Sequence, residues 1–423
     1  MTRLLAIGVI ALAVVALAAS PARTAPPAEA SAEAPRPEVR GLWVVRSSIT
    51  SPEAIEKVVA DARAAGINTL IVQVRGRGDA YYRSRWEPRS EALAGQPAAF
   101  DPLAEMLEKA HAARLGVHAW LNTHLLGNLD ELPADPDHVY NRHPDWLAVP
   151  RRAAAELLAL GPGDPRYRER LVAASKEDRS ELEGVYTAPS HPAVKEHVYN
   201  VFMDVVERYD VDGVHFDYVR HPSPDFDYSR IALERFRAFV EPTLGVEERR
   251  LVAGLAQSRP LVYVELFPQA WDRFRRDQVT ELVERVYTGV KARKPKVLVT
   301  AAVFANDEDA FARRFQDWKA WLERGILDAV CPMAYTPDSE TWKRQIAIAR
   351  GFSFGRGVWA GIGAYRQPPD SALEKIALGR RIGVDGLLLF SYRDVTLPSE
   401  HAPAGDYLER IGKGAFRAKA GGR

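Results

Sequence analysis

Eight short apolar runs, each separated from the next by a stretch of helical period, constrain this chain more than any other feature. They are Gly41–Arg46, Thr69–Arg75, Val117–Asn122, Gly213–Arg220, Val297–Phe304, Ala329–Tyr335, Gly357–Tyr365 and Gly386–Tyr392. Near-continuous hydrophobicity fits parallel strands buried on both faces. The segments between them read as crossover helices. Ser51 caps one with Pro52 at its first position, and Ile55, Val58, Val59 and Ala62 form its apolar stripe. Asp101-Pro102 repeats the device before Leu103, Met106, Leu107 and Ala110, and Val194 to Val205 and Val279 to Val286 carry similar stripes. Gly66, Gly116, Gly325 and Gly383 stand directly before strands, where a left-handed residue ends a helix.

Eight βα units in series predict an α/β fold, the closed (β/α)8 TIM barrel. An open doubly wound sheet is the alternative. Its dinucleotide version needs a G-x-G-x-x-G turn, whereas Gly76-Arg77-Gly78 lacks the third glycine and leads into Asp79-Ala80-Tyr81-Tyr82. Two connections exceed a minimal barrel, at about 125–190 after the third run and 221–275 after the fourth. Both follow strand C-terminal ends, where active-site loops belong, and a small folded domain inside either is the alternative.

The domain layout expected is a signal peptide over 1–20, a Pro/Ala-rich disordered tether over 21–38 and the catalytic barrel over 39–415. Arg3 precedes an apolar run from Leu4 to Ala19, with Ala16 and Ala18 a candidate cleavage pair. The run is short against the ~20 residues of a membrane-spanning helix, although a retained anchor is the rival interpretation. The protein is thus expected to be exported, periplasmic or extracellular, without stable membrane insertion after cleavage. Cys331 is the one cysteine, which excludes an internal disulfide and a thiolate metal cluster. It lies in an apolar run and reads as buried and inert. A net charge of +1 over 423 residues gives no overall field for nucleic acid, and Arg273, Arg275 and Arg276 read as a solvated helix face. Nothing in the sequence speaks to oligomeric state.

Strand side chains alternate between barrel interior and helix layer. In the fourth run His215, Asp217 and Val219 share one face, and Val214, Phe216 and Tyr218 the other. The polar pair should point inward, with Asp217 near the mouth. A buried carboxylate is costly unless paired or used, so a structural ion pair with Arg75 or Arg220 is the plain alternative. Gln73 and Arg75, then His118, Trp120, Asn122 and His124, converge on the same end, with Met333, Tyr335, Trp359, Tyr365, Tyr392 and Asp394. Amides and aromatic rings around carboxylates suit a sugar. Glycosidic hydrolysis usually needs two flanking carboxyl groups. Asp217 is the first candidate, with Asp394, Asp79, Asp307 and Asp338 as partners in that order, the last two being equally suited to capping. No cofactor is implied. A zinc site on His118 and His124 lacks a third ligand at metal spacing, and no G-x-S-x-G elbow or P-loop occurs.

At these residues the chain resembles the bacterial glycosyl-hydrolase-like family ten, distinct from the similarly numbered xylanases. The resemblance runs from about Val39 to about Asp394. It is carried by Arg40-Gly41-Leu42-Trp43, Gln73 to Ala80, His118 to Asn122, Asp212 to Arg220, Arg275 to Val279 and Pro332 to Tyr335. It implies a TIM barrel exported to act on polysaccharide; similar proteins include an enzyme that cleaves peptidoglycan strands stripped of their peptides. By position, Asp217 matches the family's strand-four carboxylate, surrounded by Asp79, Asn122, Arg220 and Tyr335. Gly76 departs from a frequent proline, and Thr123-His124 from a common Pro-Tyr, which bears on the sugar subsite.

The expectation is therefore a glycosidase acting on a cell-envelope or extracellular polysaccharide. Asp217, Asp394 and Asp79 are the catalytic candidates, and Arg75, Asn122, His124, His215, Arg220, Tyr335, Trp359, Tyr365 and Tyr392 bind sugar. The rivals are a glycan-binding barrel without turnover and a metal-dependent hydrolase.

Overall fold

The computed structural model describes residues 37–179 and 182–417. The signal segment and nearly all of the tether lie outside the described residues. Among those described, no helix is long and apolar enough to cross a membrane.

All eight apolar runs form strands. They are β1 (Val39–Val44), β2 (Thr69–Arg75), β3 (Gly116–Asn122), β6 (Gly213–Asp217), β7 (Leu298–Val303), β8 (Ala329–Pro332), β9 (Gly357–Gly363) and β10 (Gly386–Phe390). Two short strands between them, β4 (Leu125–Gly127) and β5 (Val185–Tyr186), form a separate antiparallel pair. The eight close into a parallel barrel, with β1 paired to β10 from Val39↔Gly386 to Leu42↔Leu389. Trp43, Ile71, Trp120, Cys331, Trp359 and Leu388 fill its interior, and burial pushes the Cys331 thiol well up. Outward residues such as Val72, Val214 and Phe216 join the helices in the main core.

The caps work as their residue types require. Ser51 and Asp101 accept from the amides of Ala54 and Ala104, opening helices Pro52–Ala65 and Pro102–Ala112. Gly66, Gly325 and Gly383 are left-handed, but Gly116 is not: Arg114 takes that conformation at φ 62° and Gly116 already belongs to β3.

The long connections do not form separate domains. Leu126, Leu147, Tyr167 and Leu171 of the first pack with Phe226, Tyr228, Phe236 and Trp271 of the second region in one satellite core. Arg275 is the pin, and so is no solvated residue. Its guanidinium lies 3.8 Å from the centre of the Phe315 ring and donates to the carbonyls of Pro224 and Phe226.

Candidate active site

A cavity of about 1020 Å³ opens at the C-terminal mouth of the barrel, the end at which TIM barrels carry their sites. Its walls include Trp43, Gln73, Asn122, Asp217, Met333, Tyr335 and Phe390, so nearly every strand contributes.

Asp217 ends β6 beside Asn122 of β3. Its Oδ1 accepts from the Tyr218 amide at 2.7 Å, and no cation closes on it as an ion pair among the described residues. Burial pushes its carboxyl up to about 6 against the opposing charge of Arg220. Beyond Asp217 the predicted alternation fails. Tyr218 takes φ 51°, a region costly for a bulky residue. That turn brings Tyr218 and Arg220 into the cavity wall and sends Val219 to the outer core, the reverse of the expected faces.

The second carboxylate of this cavity is Glu183, which follows no barrel strand and so carries no local sequence signal of its place. It precedes β5, whose pairing with β4 folds the end of the first long connection back over the mouth. The adjoining Gly184 makes this approach: a Cβ there would sit 1.7 Å from the Gly127 carbonyl oxygen. Arg220 reaches Glu183 Oε1 at 2.8 Å, and the Tyr186 hydroxyl donates to Oε2 at 2.6 Å. Glu183 is 41% exposed at the cavity mouth; desolvation there would raise its carboxyl, but the Arg220 charge and these hydrogen bonds outweigh it and hold it below its ordinary value. The charge of Glu183 in turn helps to raise Asp217. Two carboxyls in one cavity are thus driven in opposite directions, the pattern that separates a proton donor from an ionised base or nucleophile.

Several expected residues are where they were placed. Asn122 Oδ1 accepts from the Trp120 indole at 2.8 Å while its amide donates to the Gly76 carbonyl at 2.7 Å. Tyr335 and Tyr365 stand in the cavity wall, their ring centres 6.2 Å apart, and Tyr365 is exposed. Arg46, Arg77 and Arg366, which the sequence did not single out, add positive charge to the rim.

Others belong elsewhere. Arg75 is sealed with Glu87, donating to Oε1 at 2.6 Å, and is not in the cavity wall, because an irregularity in β2 separates it from Gln73. His124 is fully enclosed with Nδ1 2.9 Å from the Thr187 hydroxyl, and burial lowers its pKa to about 3. His215 does face inward but below the cavity, between the Trp43 indole and the Thr300 hydroxyl. Trp359 sits deeper still, its ring 5.3 Å from that of His118. Tyr392 turns outward and donates to Asp61 at 2.7 Å. Asp394 is a helix cap, accepting from the Ser391 amide and hydroxyl, and Asp338 caps likewise at the Thr341 amide. Asp307 pairs with Lys319. Asp79 accepts from the Arg77 amide at 2.9 Å and faces a neighbouring groove. No three His, Cys, Asp or Glu among the described residues are grouped to hold a metal, so His118 and His124 do not form the cluster a metal-dependent hydrolase would need.

Against known proteins, the glycosyl hydrolase-like 10 family profile matches residues 38–181 and 172–350. Glycosyl hydrolase YngK of Bacillus subtilis (strain 168) is 27% identical over 302 residues, 66% of this chain and 48% of YngK. Glycosyl hydrolase DigH of Escherichia coli (strain K12) is 25% identical over 376 residues, 78% of this chain and 72% of DigH. The chain thus spans about half the length of YngK. Among solved structures, the PgaB (BpsB) glycoside hydrolase domain from Bordetella bronchiseptica superposes with a TM-score of 0.58 at 15% identity, covering 88% of this chain and 99% of that one. A β-galactosidase from Bacillus circulans sp. alkalophilus gives 0.58 at 15% identity, covering 90% and 55%. These structural similarities show the (β/α)8 barrel.

Proposed function

This chain belongs to the glycosyl hydrolase-like 10 family, and we propose that it is an exported glycosidase that cleaves a cell-envelope polysaccharide, with the glycan strands of peptidoglycan as its substrate. What supports glycoside hydrolysis is one cavity whose wall holds both Asp217 and Glu183, with their pKa values driven apart. Asp217, protonated below about pH 6, donates to the leaving glycosidic oxygen. Glu183, ionised, faces the anomeric carbon as base or nucleophile, and Arg220 keeps it charged. Asn122 and Gln73 line the cavity with amides, and Tyr335 and Tyr365 supply ring faces for the pyranose C–H surface.

The test is incubation of the mature protein with peptide-free peptidoglycan strands and measurement of new reducing ends. Wild type is expected to release them, and Asp217→Asn to release almost none while folding normally. Equal release by both would remove Asp217 from the mechanism; strand binding without release by wild type would favour the non-catalytic binding protein instead.

A further inference from the structure

The Gly76-Arg77-Gly78 turn has side chains close on both flanks, and at Gly78 the left-handed backbone itself favours glycine. A Cβ at Gly76 would lie 2.5 Å from the Arg46 side chain, in the wall of the first cavity. One at Gly78 would lie 2.8 Å from His138 Nε2, in the wall of a second groove of about 810 Å³, and φ there is +76°. Arg77 lines both spaces. Its backbone is locked from the groove side, the amide donating to Asp79 at 2.9 Å and the carbonyl lying 2.7 Å from His138 Nε2. Its side chain is held only loosely, 3.8 Å from the exposed Glu131. With glycine on either side of it, Arg77 is the one side chain of this turn that stands at the junction of cavity and groove. The groove offers apolar faces from Leu132 and Pro133 and polar groups from Asp79, Arg89 and Glu131, the mixture that a hydroxylated ring with C–H faces requires.

We propose that this groove is a distal glycan-binding site, occupied by sugars of the same chain on one side of the cleaved bond, so that the enzyme cuts within strands rather than at their ends. The proposal rests on the glycosidase reading above and deepens it. Arg77 then contacts the sugar at the junction, and Asp79 keeps the turn in place rather than taking part in proton transfer.

Ala134 is exposed and lines the groove but not the cavity that holds Asp217, so Ala134→Trp puts an indole into the groove alone. With peptide-free peptidoglycan strands and short oligosaccharides cut from them, wild-type kcat/KM should rise with chain length, and early products should be of intermediate size. Ala134→Trp should lower kcat/KM on long strands about tenfold and leave the shortest cleaved oligosaccharide unaffected. If wild type cleaves both lengths and the variant is indistinguishable from it, or if early products are only monosaccharide or disaccharide, the distal site is overturned and the glycosidase reading stands. If wild type cleaves neither, the glycosidase reading itself fails and takes this one with it.

Discussion

Asp217 and Asp227 stand ten residues apart, both are buried, and burial pushes both carboxyls up to about 6. Their surroundings are nevertheless opposite. Asp227 is ringed by donors: the amides of Val149 and Ser229 at 2.9 and 2.8 Å, and the hydroxyls of Ser229 and Ser190 at 2.9 and 3.4 Å. Those donors come from both long connections, so Asp227 ties them together. Asp217 accepts from its neighbour's amide, has the Trp120 indole beside it and lines the open cavity. A raised pKa alone therefore does not mark a catalytic group. The distinction lies in whether the carboxyl still has an oxygen free to meet a substrate.

The largest effect expected from breaking this contrast is on turnover. Asp217→Asn should lower reducing-end release by about 10³-fold, within the usual range for a lost general acid. Its thermal midpoint at pH 7 should stay level or rise. The sign follows from linkage: the folded carboxyl releases its proton near 6, against about 3.9 when unfolded. Stability is therefore lost as pH climbs from about 4 to about 6 and stays lost above, at a cost of about 3 kcal/mol that the amide avoids.

Glu183→Gln should cost about 10²-fold in kcat and also displace the pH profile. In wild type, kcat/KM should fall as pH rises past about 6. Removing the Glu183 charge takes away one influence that raises Asp217 and leaves Arg220 unpaired beside it. The alkaline limb should therefore move to lower pH, which a kcat/KM titration of the variant would read.

Asp227→Asn should act on stability instead. It carries the same linkage relief at pH 7 as Asp217→Asn but substitutes donors for an acceptor among four donors, so its thermal midpoint should fall below that of Asp217→Asn in proportion to about 2 kcal/mol. The pH limb should remain where wild type has it when rates are taken below the new transition. The smallest effect is at the rim: Tyr365→Ala should raise KM several-fold, about 1 kcal/mol, with kcat nearly unchanged.

The contrast also explains what could be read from the sequence. Apolar runs located all eight strands because parallel strands buried on both faces tolerate little else, and period-two alternation aimed His215 and Asp217 inward. That logic holds only while the backbone stays extended. It failed at Tyr218, where φ turns positive, and at Arg75, where an irregularity in β2 leads the side chain away to Glu87. It also carries no depth, so His215 and Trp359 read as sugar-binding although they lie low in the barrel, below the cavity. Glu183 was illegible for another reason. Its place is set by a two-strand pairing across a long connection, a long-range contact with no local period to betray it. The satellite core made jointly by the two connections is hidden in the same way.

The account stands on Asp217, not Asp227, being the buried acid that meets sugar. With aspartate carboxyl carbons labelled with 13C, both residues can be followed by NMR through a pH titration, first alone and then with an oligosaccharide from peptide-free peptidoglycan. The account predicts that both titrate near 6 and that the oligosaccharide moves only the Asp217 resonance and its midpoint. A sugar-induced shift at Asp227 with Asp217 unmoved would contradict it.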